Sequence, residues 1–239
     1  MADGGHILVV GASSGIGYAL AERLASSHAV SAIARRSERL APLQQLGVKA
    51  YAADISDLAS IPALLQSIVE AQGPLTGLIY CAGAQKIKPM RSIQALDVEQ
   101  LYGINLLAPT VMAGQFASRR ISSENAVFCA ISSIAADRPE PGIVAYSASK
   151  AGLNGLIRGL ARELGPRRIV GVAPGWIDTE MTQAYPHLYN DAFREKLKKE
   201  TPAAPATIDG VVKTVLFLMS PAAESITGEI IRVDGGASL

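Results

Sequence analysis

The chain has 239 residues, 49% of them hydrophobic and 18% charged, enough apolar material for one well-buried domain. Its 22 Lys and Arg against 21 Asp and Glu leave a formal charge of +1, so no global field draws it to nucleic acid or to an acidic membrane surface. Two cysteines in apolar runs (Cys81 in GLIYCAG, Cys129 in AVFCAIS) read as buried reduced thiols, and three scattered histidines give no metal-site spacing, so neither a disulfide framework nor a metal centre is expected. The N-terminus has no basic segment before an apolar core, and no apolar run is long enough to span a bilayer, so a cytoplasmic chain is expected.

The first predicted strand, HILVVGA (6–12), runs into GASSGIG. Gly11, Gly15 and Gly17 let the backbone turn tightly and approach a pyrophosphate, with Ser13, Ser14 and Ile16 completing the loop. The helix predicted at 15–27 aims its free N–H groups and positive dipole end at that anion. The second strand, AVSAIA (29–34), ends at Arg35 and Arg36 where NAD-preferring folds place a carboxylate. An arginine fork bonds two oxygens of a 2′-phosphate, so the pair favours NADP(H) over NAD(H). A helix at 38–46 leads to the strand VKAYAAD (48–54), whose Asp54, followed by Ile55, is placed to meet the adenine edge or to cap the turn after it.

A helix at 57–72 precedes GLIYCAG (77–83), which ends at Ala82 and Gly83, and one long helix is predicted over 97–120. The strand AVFCAIS (126–132) ends at the serine pair 132–133, and a helix over 144–164 opens with AYSASKAG. Tyr146 and Lys150 then share one helix face. A fixed cation within about 4–6 Å favours a phenolate. Lys150 is therefore expected to draw the phenol down from its ordinary ~10 toward working pH, where it acts as general acid or base. RIVGVAP (168–174), a helix at 208–220 and EIIRVDG (229–235) complete the alternation. Continuous apolar strands alternating with helices predict an α/β fold, a doubly wound parallel sheet of about seven strands with helices on both faces, in one domain over 1–239. The segment 175–207 breaks the rhythm after a strand, at the edge where such sheets bind ligands, and reads as a substrate lid.

Together these pieces resemble the short-chain dehydrogenase/reductase family along essentially the whole chain. GASSGIG is similar to its cofactor-binding glycine motif, and YCAG matches the Ala-Gly half of its Asn-Asn-Ala-Gly. INLLAP carries its mid-chain Asn, ISSIAA its serine, YSASK its Tyr-x-x-x-Lys, APG follows its sixth strand and VDGG closes its last. The resemblance implies Tyr146 as general acid/base and Lys150 as the group that lowers its pKa and bonds the nicotinamide ribose. It also implies Ser133, rather than Ser132, as the holder of the substrate oxygen, and Asn105 as the binder of a water linking Lys150 to solvent. Pro174, Gly175, Ile177 and Thr179 fall in the segment that anchors the nicotinamide carboxamide. Val10 replaces a threonine, and Tyr80 and Cys81 replace the asparagines that tie neighbouring strands in the family.

The implied activity is NADPH-dependent reduction of a ketone, or oxidation of a secondary alcohol, with a small free metabolite or a 3-oxoacyl thioester as substrate. The expected pocket wall is Ile134, Ala135, Pro139, Pro141, Trp176 and Met181, and Arg119, Arg120, Arg167 and Arg168 form a candidate patch for an acyl carrier. The family resemblance further implies a homodimer or homotetramer. A different class of reading, a non-catalytic NADP-binding redox sensor, leaves the Asn, Ser, Tyr and Lys set without a purpose.

Overall fold

The structure, a computed structural model, describes residues 4–239. Seven strands, β1 (His6–Val10), β2 (Ala29–Ala34), β3 (Lys49–Ala52), β4 (Leu75–Tyr80), β5 (Ser122–Ile131), β6 (Arg168–Pro174) and β7 (Ile230–Val233), pair in the order β3-β2-β1-β4-β5-β6-β7. Every pairing is parallel. The central strands are apolar on both faces because helices cover both; all five residues of β1 are buried. On one face, α1 (Gly15–Leu24) and α9 (Ile208–Met219) seat Leu20, Leu24, Val211, Val215 and Leu218 on the sheet. On the other, α3 (Ile61–Gln72), α5 (Ala108–Phe116) and α6 (Val144–Glu163) contribute Leu65, Ile68, Met112, Phe116, Leu153 and Ile157. Burying each such side chain contributes about 1.5–3 kcal/mol.

The strand order reverses between β1 and β4. Connections leave these neighbours in opposite directions, which opens a crevice at their carboxyl ends. The loops after β1 to β6 rise around it; they carry the glycine loop, Arg35, Arg36, Asp54 and Ser133, while Tyr146 and Lys150 stand on α6. Among the described residues no helix is long and apolar enough to cross a membrane.

The limits of β2 and β6 coincide with those predicted. The helix expected over 97–120 is interrupted: α4 (Ala95–Tyr102) passes through a π-helical segment, Gly103–Leu107, before α5 begins. Pro109 supplies the physical reason. It has no N–H, so the carbonyl of Asn105, four residues back, loses its α-helical donor. The N–H of Ala108 reaches back to Gly103 instead, the wide turn typical of π segments at functional sites. The Tyr80 hydroxyl donates to the Ile104 carbonyl at 2.5 Å. Tyr80 is fully buried, and it ties β4 to the π segment. Tyr80→Phe leaves that buried carbonyl unpaired and is expected to cost about 1–3 kcal/mol in chemical denaturation.

Candidate active site

One cleft of about 1030 Å³ crosses the carboxyl edge of the sheet, at the upper end of the ~300–1,000 Å³ common for small-molecule sites. Every residue singled out for cofactor or catalysis lines it except Asn105, which lies fully buried behind it.

At the β1 end, Gly11 (φ +87°) and Gly15 (φ +56°) take left-handed conformations that side chains rarely adopt. A Cβ on Gly11 would stand 2.6 Å from the Ala82 nitrogen, and one on Gly17 would stand 2.3 Å from the Gly11 carbonyl. These two glycines therefore let the loop pack against the end of β4, whatever it binds. Ser14 precedes α1 without a side-chain cap to it. Ser13 accepts a hydrogen bond from Arg36 at 3.2 Å, so the loop and the end of β2 converge as a phosphate site requires. Asp54 accepts from the Ser56 N–H at 3.0 Å and the Ser56 hydroxyl at 2.8 Å. It caps its turn and borders the cleft, with the buried Ile55 beside it.

At the β5–α6 end, Tyr146 and Lys150 are 8% and 4% exposed. The Lys150 ammonium lies 5.9 Å from the Tyr146 ring centroid and donates to the Ile131 carbonyl at 2.9 Å. An ammonium has three donors, and a Cβ on Gly83 would come within 3.6 Å of it. Glycine at 83 keeps the space beside Lys150 open. The Ser133 oxygen accepts from the Ala135 N–H at 3.1 Å, which leaves its own proton to donate. Both serines line the cleft, but the Ser132 hydroxyl proton is taken by Asn154 Oδ1 at 2.6 Å, whereas that of Ser133 is free to donate.

Electrostatics here differ from the expectation. Burial raises the Tyr146 phenol above its ordinary value, with the Ser133 hydroxyl working against the rise. Burial also pushes Lys150 down to about 8. The spacing of the two residues promised attraction of charge, but enclosure of both dominates. The Asn105 side chain is engaged within the protein. Its Oδ1 accepts from the Ala84 N–H, and its Nδ2 donates to the Ala84 carbonyl and to Ser149 Oγ, each at 2.9 Å. Ser149 in turn donates to the Tyr146 carbonyl at 2.6 Å. The amide therefore sets the register of the turn that carries Tyr146 and Lys150.

Pro174, Gly175, Ile177 and Thr179 follow β6 along the cleft wall. A Cβ on Gly175 would lie 2.9 Å from Asp234 Cβ, so this glycine also serves packing. The segment 175–207 carries α7 (Glu180–Gln183) and α8 (Asp191–Glu200). The expected wall residues line the cleft apart from Pro141, and Tyr189 and Phe193 join them. Trp176 meets Phe193 at 5.4 Å, and Tyr189 meets Phe193 at 5.1 Å. Tyr185 and Tyr189 lie between α7 and α8 and Phe193 on α8, so no single helix face carries the three and no periodic pattern in the sequence marks them. The arginine patch is a correction. Arg119, Arg120, Arg167 and Arg168 lie at the amino ends of β5 and β6, the far edge of the sheet from the cleft. Arg167 is buried on Ser122, and Arg168 donates to the Ser220 and Ile226 carbonyls.

The donors suit a dinucleotide: a glycine cradle at a helix N-terminus, guanidinium and hydroxyl at one end, and a buried ammonium with space beside it at the other. A family model described as enoyl-(acyl carrier protein) reductase matches residues 11–238. The acetoacetyl-CoA reductase of Synechocystis is 34% identical over 234 residues, covering 96% of this chain and 94% of that protein. A short chain dehydrogenase from Burkholderia cenocepacia in complex with NADP superposes with a TM-score of 0.90 at 30% identity, covering 100% of this chain and 99% of that one. A 4-hydroxyisoleucine dehydrogenase complexed with NADH gives a TM-score of 0.90 at 28% identity, covering 98% of each chain. With a seven-stranded parallel sheet and family matches over nearly its whole length, the chain belongs to the short-chain dehydrogenase/reductase family, as an oxidoreductase of that type.

Proposed function

We propose that the chain is an NADPH-dependent reductase of ketones, 3-oxoacyl thioesters among them, and that it runs the reverse oxidation of secondary alcohols. One observation carries the reading. The buried Lys150 ammonium, the Tyr146 phenol and the Ser133 hydroxyl meet at one end of a cleft whose other end offers the glycine loop and Arg36.

The nicotinamide, when bound, supplies the hydride to the carbonyl carbon. Ser133 donates its hydroxyl proton as a hydrogen bond to the substrate oxygen and stabilises charge growing there. Tyr146 gives its phenolic proton to that oxygen. The raised phenol keeps its proton at neutral pH, the state that reduction requires. Lys150 stabilises the phenolate left behind and donates to the ribose. Ser13, Arg35 and Arg36 hold the 2′-phosphate, with Asp54 and Ile55 at the adenine edge. The aromatic lid residues Trp176, Tyr189 and Phe193 give the substrate an apolar wall, which suits an acyl chain. The reading carries with it a cytoplasmic homodimer or homotetramer. Exposed Leu107, in the π segment, and Val144, at the start of α6, support pairing of these helices across a two-fold axis.

NADPH consumption with a panel of ketones and acetoacetyl thioesters tests the proposal. Turnover of the ketones supports it; turnover of the matching enoyl thioester alone contradicts it, and NADPH binding with no turnover supports the sensor reading. The pH profile is a second check. Lys150 is charged below about 8 and neutral above it. Hence kcat/KM for NADPH, which reports the free enzyme, is expected to fall as pH rises through that value. A profile flat to well beyond it contradicts the role given to Lys150.

A further inference from the structure

Glu180 opens α7 and stands across the cleft from the end of β2. Its Oε2 accepts from Arg36 Nη2 at 3.0 Å, and its Oε1 accepts from Arg39 Nη1 at 2.6 Å. The same Arg36 nitrogen donates to Ser13 Oγ at 3.2 Å. A carboxylate thus sits between two guanidiniums beside a serine hydroxyl, the donor set that a phosphomonoester uses. The segment is held close: a Cβ on Gly15 would lie 3.8 Å from Thr179 Cγ2, so residue 179 rides on the glycine loop. The end of β2 carries no carboxylate, and one is supplied to Arg36 and Arg39 from the segment after β6. All three charged side chains are 43–48% exposed, so the pairs contribute little to stability. Their consequence lies in which anion the arginines hold.

We propose that Glu180 is a specificity-determining residue that competes with the 2′-phosphate for Arg36 and Arg39, and so sets the discrimination between NADPH and NADH. A dianion arriving at the guanidiniums must displace this carboxylate or endure its repulsion. A dinucleotide with a free 2′-hydroxyl meets no such competition, and its hydroxyl can donate to the carboxylate. The inference rests on the reading that Arg36 receives the phosphate, and it adds Arg39 as a second guanidinium there.

The test measures dissociation constants for NADPH and NADH by nicotinamide fluorescence. It uses the wild type, Glu180→Gln, the Arg36→Ala/Arg39→Ala double variant, and all three changes together, with thermal melts to establish folding. Glu180→Gln is expected to tighten NADPH by about 3–10-fold with NADH shifted by less than about two-fold, and the gain is expected to vanish without the arginines. A gain below about two-fold, an equal gain for NADH, or a gain that persists in the arginine-free background overturns the proposal. If the arginine double variant binds NADPH as tightly as the wild type, the assignment of Arg36 to the phosphate and the proposal fall together. An inert Glu180→Gln beside an arginine-dependent NADPH affinity removes only the role of Glu180.

Discussion

Tyr146→Phe is expected to bind NADPH comparably to the wild type and to reduce ketones about 10²–10⁴-fold more slowly. The substitution deletes one oxygen and its proton. The ring stays in its cluster with Leu101 and Ala135, so an unchanged melting temperature separates a chemical loss from a folding loss. Because the proton moves only as the transition state forms, kcat and kcat/KM are expected to fall together. On the proposed function, burial keeps this phenol protonated, and the lysine one turn away is expected to act on the phenolate left after transfer rather than to prepare one beforehand. The reduction direction is therefore served at neutral pH, and alcohol oxidation, which needs the phenolate, is expected to favour alkaline conditions. Steady-state kinetics in both directions check this, and undiminished reduction by the phenylalanine variant would falsify the assignment.

Ser133→Ala is expected to lower kcat by about 10²–10³-fold, the usual loss when one donor to a developing oxyanion is removed. The serine oxygen also accepts the Ala135 N–H, so a stability loss of about 1 kcal/mol is expected as well. The neighbouring serine supplies the control. Ser132 is buried and bonded to Asn154 at 2.6 Å. Ser132→Ala is expected to lower the melting temperature while kcat stays near that of the wild type. Equal kcat losses at the two positions contradict the choice between them.

Local signals in the chain carried the sheet and the cleft. β2 and β6 are mostly apolar runs with charged or turn-forming neighbours, so their limits are legible; the glycine loop is legible from Gly11, Gly15 and Gly17 on a strand-to-helix boundary. The π segment was hidden because apolar spacing continues through 97–120, and only Pro109 marks the break. α8 reads DAFREKLKKE, with ion pairs three and four residues apart and no buried residue, so Phe193 and Leu197 alone mark an apolar face among charges. The Tyr80–Ile104 tie and the Glu180–Arg36 pair join residues 24 and 144 positions apart, and no local pattern carries such contacts. The direction of the Tyr146 shift was misjudged for a related reason. The four-residue spacing displays the cation, but the burial that outweighs it belongs to the assembled fold.

The most direct test follows the transferred atom. Reduction of an acetoacetyl thioester with NADPH deuterated at nicotinamide C4 on the transferred face, followed by mass spectrometry of the product, locates the label. Deuterium on the carbinol carbon, with a hydroxyl proton that exchanges freely with solvent, is the predicted result. A product without deuterium at that carbon, or no hydroxy product from any ketone offered, contradicts the account.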